Sequence, residues 1–468
     1  MRVLQNIVPT PEQLPIISAN RLGIEVIRGA AGSGKTSTAI LRLRSLAYMF
    51  EARRTRQGND DPVRLLVLTF NRTLAGYIRA LTENQVHEFE NTELEINTFA
   101  KWSISLLGGK NIIPDTRRES VISRLARAMP LAASYVVKEV DYLLGRFEPE
   151  ALESYLTVER TGRGTEPRVD RSLRRRLLDE VVYPYKEWLD NNNLFDWNDV
   201  AIEMARSSET LDYDIVIVDE SQDFSANQLR AIRHHIADEF AVTFVIDTAQ
   251  RIYARGFTWA ETGFDMQGAR YHTLRANHRN TVQITAFAAG ILTGVAVEED
   301  GALPRLESAT REGLLPVVLK GRYDQQAEWA LDYIRRTVDL DEESVAFLKP
   351  QGGGYFDRLK ELLNARRISY VNITREADWP ETGDSVALST FHSAKGLEFD
   401  YVIILGLNDR NTDHAADQID DQLTVLRRLL AVAVARARKA VIIGYKPGEE
   451  SDLVGFFADR TFQEIDLS

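Results

Sequence analysis

Gly29-Ala30-Ala31-Gly32-Ser33-Gly34-Lys35-Thr36 is the stretch on which the fold turns. Its spacing, G-x-x-x-x-G-K-[ST], is that of a phosphate-binding loop. Ile24-Glu25-Val26-Ile27 before it reads as a buried strand, and Ala39 to Ala47 after it reads as a helix. Strand, loop and helix in that order supply what the motif needs. Glycine lets the backbone approach phosphates without a Cβ in the way, and the first helical amides face the anion. Lys35 is placed to reach the β- and γ-phosphates of a nucleoside triphosphate, and Thr36 to ligate Mg²⁺. The loop by itself does not say what the triphosphate drives.

Composition sets the outer limits. A chain of 468 residues is too long for one ordinary core and implies two to four domains. Hydrophobic content of 44% and charged content of 27% are those of a globular protein. No apolar run is long enough to span a bilayer, and the first residues lack a secretory pattern, so a cytoplasmic location with no membrane partner is expected. With no cysteine there can be no disulfide or thiolate-held metal. The net charge of −12 argues weakly against nucleic acid, since a basic footprint is local.

A second half of the triphosphate site follows at Tyr213-Asp214-Ile215-Val216-Ile217-Val218-Asp219-Glu220-Ser221-Gln222-Asp223. Adjacent carboxylates at the end of a buried β-branched run are hard to explain structurally, because unpaired buried charge is expensive. Asp219 suits hydrated Mg²⁺, and Glu220 suits the attacking water. Val242 to Asp247 forms another strand, with Gln250 beyond it able to sense the γ-phosphate. Strands also read at 64–70 and 94–99, and Thr-Phe at their ends suits phosphates and base faces.

Thr10-Pro11-Glu12-Gln13 reads as a helix cap, although the Gln13 amide could also meet an adenine edge. Residues 100–200 are helical in pattern. They carry Arg160, Arg163, Arg168, Arg171, Arg174, Arg175 and Arg176 against only Glu159, Glu166 and Asp170. That cluster is either a solvated face or a contact to a nucleic-acid backbone. After residue 270 a second α/β alternation begins, with strands at 316–320, 344–348, 385–389, 401–405 and 440–444. Helices read near 325–337 and 355–365. Arg427 to Arg438 reads as an apolar helix with arginines at its ends.

Taken in order, these motifs resemble the UvrD/Rep/PcrA class of superfamily 1 helicases over roughly residues 10–445. The pieces are Gln13, GAAGSGKT, TFNR at 69–72, TFA at 98–100, VDESQD at 218–223, DTAQRIYAR at 247–255, NHR at 277–279, TFHSAKGLEF at 390–399 and VAVARA at 432–437. The resemblance implies an α/β fold with two RecA-like P-loop domains on parallel sheets and a helical insertion in the first. The expected bounds are 1–100 with 200–272 for the first domain, 101–199 for the insertion and 273–468 for the second domain. The large insertion that relatives carry in the second domain is expected to be missing.

The resemblance also implies roles. ATP and Mg²⁺ would lie between the domains, held by Gln13, the loop Gly29, Ala30, Ala31, Gly32, Ser33, Gly34, Lys35 and Thr36, with Ser37, His278 and Glu398. Glu220, Gln250, Arg279 and Arg436 would complete hydrolysis with Lys35. Phe70, Asn71, Arg72, Thr98, Tyr253, Arg255, His392 and Lys395 would line a path for single-stranded DNA or duplex with a 3′ tail, joined by Arg174 and Arg175 of the basic cluster. Ser37 stands where arginine is frequent, His278 where tyrosine stacks on adenine, and Trp259 is the nearest substitute for an absent tryptophan. The expected activity is 3′→5′ translocation driven by ATP. The alternative is a DNA-stimulated ATPase that activates a partner such as a nuclease in repair or phage defence.

Overall fold

The computed structural model describes residues 9–29, 32–69, 72–86, 91–160, 168–247, 257–275, 277–295, 309–350, 356–374, 384–412 and 421–467. The first six strands are β1 (Gly23–Gly29), β2 (Val63–Thr69), β3 (Thr92–Thr98), β4 (Tyr213–Val218), β5 (Ile236–Asp247) and β6 (Arg270–Leu274). They form one parallel sheet in the order β3-β2-β4-β5-β1-β6. Every residue of β4 is buried, as expected of a central strand covered on both faces. Gly29 pairs with Asp247, Leu68 with Val218, and Thr69 with Thr98. The strand ends that bear the motifs therefore share one edge, where parallel sheets bind ligands. Strand β6 belongs to this first sheet: Thr273 and Leu274 pair with Arg28 and Gly29. The sheet thus runs past the boundary at 272 read from the sequence.

The remaining strands are β7 (Asn277–Thr281), β8 (Ala309–Arg311), β9 (Val317–Lys320), β10 (Val345–Lys349), β11 (Val371–Asn372), β12 (Val386–Thr390), β13 (Phe399–Ile404), β14 (Ala437–Tyr445) and β15 (Gln463–Asp466). Seven of them make a second parallel sheet, β11-β12-β10-β13-β14-β9-β15, while β7 and β8 pair separately. Helices Tyr323–Thr337 and Asp357–Ala365 fall where the sequence pattern put them. Among the described residues, no helical unit comparable to the one in the first half interrupts this part. One buried apolar cluster contains Ile27, Leu43, Leu74 and Ile217 together with Val318, Phe391, Leu397 and Val434, so the two sheets share a continuous core.

Residues 113–194 build their own helical core, including Val136, Leu143, Tyr155, Leu178, Val181 and Tyr185. It is fastened to the first sheet's helix Ala226–His234 by Asn227, whose side chain donates to the carbonyls of Leu144 (2.8 Å) and Phe147 (3.1 Å). The arginine cluster is part of this construction. Arg160 pairs with buried Glu139 at 2.8 Å, Arg175 grips Glu153 through two bonds of 2.7 and 2.6 Å, and Arg176 pairs with Glu180. Arg174 donates to the carbonyls of Val169 (3.1 Å), Tyr155 (2.9 Å) and Val158 (2.8 Å), with its guanidinium 5.4 Å from the Tyr155 ring centre.

This bears on the expectation for Arg174, whose fork-like donors are engaged by three backbone carbonyls of the insertion. Arg175 forms an exposed pair with Glu153. Arg174→Ala is expected to destabilise the protein by about 2 kcal/mol, measured by urea unfolding. The salt dependence of nucleic-acid affinity should be unchanged. A weaker salt slope with unaltered stability would return Arg174 to the DNA path.

Candidate active site

Helix Lys35–Gln57 begins at Gly34, whose φ of +78° lies in the left-handed region. A Cβ there would also run into the Gln13 amide, so both the turn and the close approach call for glycine. Lys35 is buried, and no acidic residue occupies the first turn. The helix start therefore keeps its positive end for an anion. The Gln13 side chain donates to the Ser33 carbonyl at 3.2 Å and accepts from the Thr10 amide at 2.9 Å. The second bond is one half of the expected cap, and the first ties that segment to the phosphate loop. Buried Arg42 reinforces the tie, donating to the Ile16 carbonyl at 3.0 Å and Thr243 Oγ1 at 3.3 Å.

Across the sheet edge, Thr36 Oγ1 lies 3.2 and 3.1 Å from the two carboxylate oxygens of Asp219. Burial pushes the Asp219 carboxyl well above its usual range, and the adjacent Glu220 adds to the effect. A hydroxyl and a carboxylate converging in a buried place are an all-oxygen donor set that fits Mg²⁺, with phosphate oxygens and water left to complete the shell.

Glu220 has φ +53°, unusual for a residue with a side chain. Such backbone strain persists where the surroundings over-determine it. Here Gln222 donates to its carboxylate, and Lys395 Nζ lies 3.6 Å from Glu220 Oε2 and in an ion pair with Asp223. Burial alone would raise the Glu220 carboxyl. Lys395, Lys35 and Arg436 outweigh burial and hold it below its ordinary value. Two of those three cations come from the second sheet.

Lys395 sits in the crossover between β12 and β13. Its neighbour Gly396 has φ +84°, and a Cβ there would overlap the Leu74 side chain. Thr73 Oγ1 donates to the Ile373 carbonyl at 2.9 Å beside this contact. The resemblance put Lys395 on the DNA path. The structure puts its ammonium against the carboxylates of the first sheet, a pairing that the motif did not indicate. No local sequence pattern could disclose such a pairing.

Arg436 is 2% exposed, and its Nη1 donates to the Leu397 carbonyl at 3.4 Å. The helix before it stops at Val434, and Arg438 already lies in β14, so the expected helix through 438 is shorter than read. Arg427 supports the fold, donating to the Ile291 carbonyl at 2.9 Å under the ring of Phe456. Trp259 packs against Phe244, with ring centres 4.6 Å apart, so it belongs to the core of the first unit.

Thr98 is buried as the cap of helix Phe99–Leu107, Arg72 is exposed at the start of helix Arg72–Val86, and His392 is exposed on the Lys395 crossover. Ser37 and Glu398 are half-buried. His278 and Arg279 lie on β7, with their side chains outside the described atoms. Ala30, Ala31, Phe70, Asn71, Gln250, Tyr253 and Arg255 fall outside the described residues.

The model of the UvrD/REP helicase N-terminal domain matches residues 10–263. The chain belongs to the UvrD/REP helicase family. The model of the UvrD-like helicase C-terminal domain matches residues 349–447, which include Lys395 and Arg436. A "Probable DNA helicase" of Mycoplasma pneumoniae is 24% identical over 452 residues, covering 90% of this chain and 80% of that one. "ATP-dependent DNA helicase Rep" of Escherichia coli is 33% identical over 73 residues, which are 16% of this chain and only 11% of Rep. A solved C-terminal domain of a possible DNA helicase from a Lactobacillus is 23% identical, covering 40% of this chain and 99% of its own. Its TM-score of 0.31 is too low to weigh in the argument.

Lys395→Met would leave Glu220 and Asp223 buried without that ammonium. It is expected to destabilise the nucleotide-free protein by roughly 3–5 kcal/mol, read as a lower urea midpoint. An unchanged midpoint would mean that the two sheets do not depend on this contact.

Proposed function

We propose that the chain is an ATP-driven motor on single-stranded DNA that moves 3′ to 5′ and opens duplex carrying a 3′ tail. The observation that carries this reading is that Lys395, from the other sheet, lies 3.6 Å from Glu220 Oε2, with the charge of Arg436 from that sheet also favouring the ionised carboxyl. A hydrolytic carboxylate influenced from the second sheet suits chemistry that responds to domain movement.

In this reading the triphosphate lies at the start of helix Lys35–Gln57, with Lys35 on its β- and γ-oxygens. Thr36 and Asp219 would hold Mg²⁺, which neutralises phosphate charge when bound. Glu220, kept ionised by its cationic neighbours, orients and deprotonates the attacking water. Arg436 and Arg279 stabilise charge on the transferring phosphoryl group, together with Gln250. When ATP is bound, its phosphates compete with the carboxylates for the cations of the second sheet. Turnover then alternates how that sheet is held. Arg72, Thr98 and His392, with Phe70, Asn71, Tyr253 and Arg255, would carry DNA across the top. Gln13, His278 and Glu398 would surround the nucleoside.

ATP turnover with and without single-stranded DNA tests the reading. Wild type should be stimulated, and Glu220→Gln should lose about a hundredfold or more in kcat while retaining ATP binding. No stimulation by any nucleic acid would refute the motor. DNA-stimulated turnover without duplex opening by the purified chain would favour the partner-activating alternative.

A further inference from the structure

Arg436 is presented by a turn whose backbone is held from several sides. Its own carbonyl accepts from Phe399 N at 3.0 Å, and its amide donates to the Ala433 carbonyl at 3.1 Å. The carbonyls on either side of it, Ala435 and Ala437, both accept from one side chain, Asn280 Nδ2, at 2.9 and 2.6 Å. Asn280 is 2% exposed. Since both partners are carbonyl oxygens, the amide nitrogen must face them, and its two hydrogens are divided between them.

Asn280 directly follows Arg279 on β7. One residue later Thr281 caps helix Val282–Ile291, accepting from the Ile284 amide at 3.3 Å. The side chain therefore joins the strand bearing one arginine to the turn bearing the other, although they are distant in sequence. A carbonyl pair on both sides of Arg436 fixes the direction in which its Cα–Cβ bond leaves the turn. Serine, with one donor hydrogen, could satisfy only one of the two carbonyls.

We infer that Asn280 is a positioning residue that sets the aim of Arg436 and couples it to the Arg279 strand. This rests on the proposed role of Arg436 in turnover. Asn280 itself touches no reacting atom. It acts by fixing two carbonyls, so it should influence the rate of phosphoryl transfer and leave ATP binding largely alone.

The test is DNA-stimulated ATP turnover by Asn280→Ala, Asn280→Asp, Arg436→Ala and the double variant Asn280→Ala/Arg436→Ala, with thermal unfolding of each. Asn280→Asp keeps the shape but replaces the donor by an acceptor. Each Asn280 single variant should lose about tenfold in kcat, with KM for ATP within about twofold. Adding Asn280→Ala to Arg436→Ala should lower kcat no further, because the residue acts only through that arginine. If Asn280→Ala does not purify folded, Asn280→Ser takes its place, with a smaller loss in kcat expected and the same absence of effect in the Arg436→Ala background. Wild-type kcat in the Asn280 variants, or the same loss with and without Arg436, would overturn the inference. Wild-type turnover by Arg436→Ala would instead refute the proposed role of the arginine, and this inference with it.

Discussion

A buried ammonium from one sheet rests against two buried carboxylates of the other, and much of the molecule is arranged around that contact. Lys395 reaches Glu220 and Asp223 where little water screens the charges. At such a place an ion pair is held only if geometry and further hydrogen bonds offset the desolvation of both partners. Gln222 supplies one such bond to Glu220. The packing of Leu74 against Gly396 and the bond from Thr73 to Ile373 keep the crossover close enough for Lys395 to reach. The contact therefore ties the strained backbone at Glu220 to the position of the second sheet.

The side that bears Lys35 is cross-linked by buried side-chain hydrogen bonds. Gln13, Arg42 and Gly34 fasten the entry segment to the loop and its helix, and Asn227 locks the helical insertion onto the same unit. Between the two sheets, apolar packing and the Lys395 ion pair act side by side.

The parts legible in the sequence were those with a local signature. Four β-branched residues before Asp219-Glu220 gave β4 and the carboxylates together, and the glycine spacing of 29–36 gave the loop. Strands β9, β10, β12, β13 and β14 were readable as apolar runs. Strand β6 was not, because Arg-Tyr-His-Thr-Leu lies on a sheet edge and is mostly exposed. The short strand β15 escaped for the same reason. The basic cluster read as either a solvated face or a nucleic-acid contact, because partners such as Glu139 and Tyr155 lie elsewhere in the chain. The pairings of Lys395 and Asn280 were not legible on similar grounds: neither has a sequence period.

The central claim is that the two sheets answer to each other through the site between them. Because the chain has no cysteine, a pair introduced at exposed Arg56 and Asn364 can carry donor and acceptor dyes, one on each unit. Energy transfer would be measured nucleotide-free, with a non-hydrolysable ATP analogue, with single-stranded DNA, and with both. A change in transfer efficiency on binding the analogue and DNA together, with Lys395→Met altered already in the nucleotide-free state, is the predicted result. The same efficiency in every state and in both proteins would contradict the account.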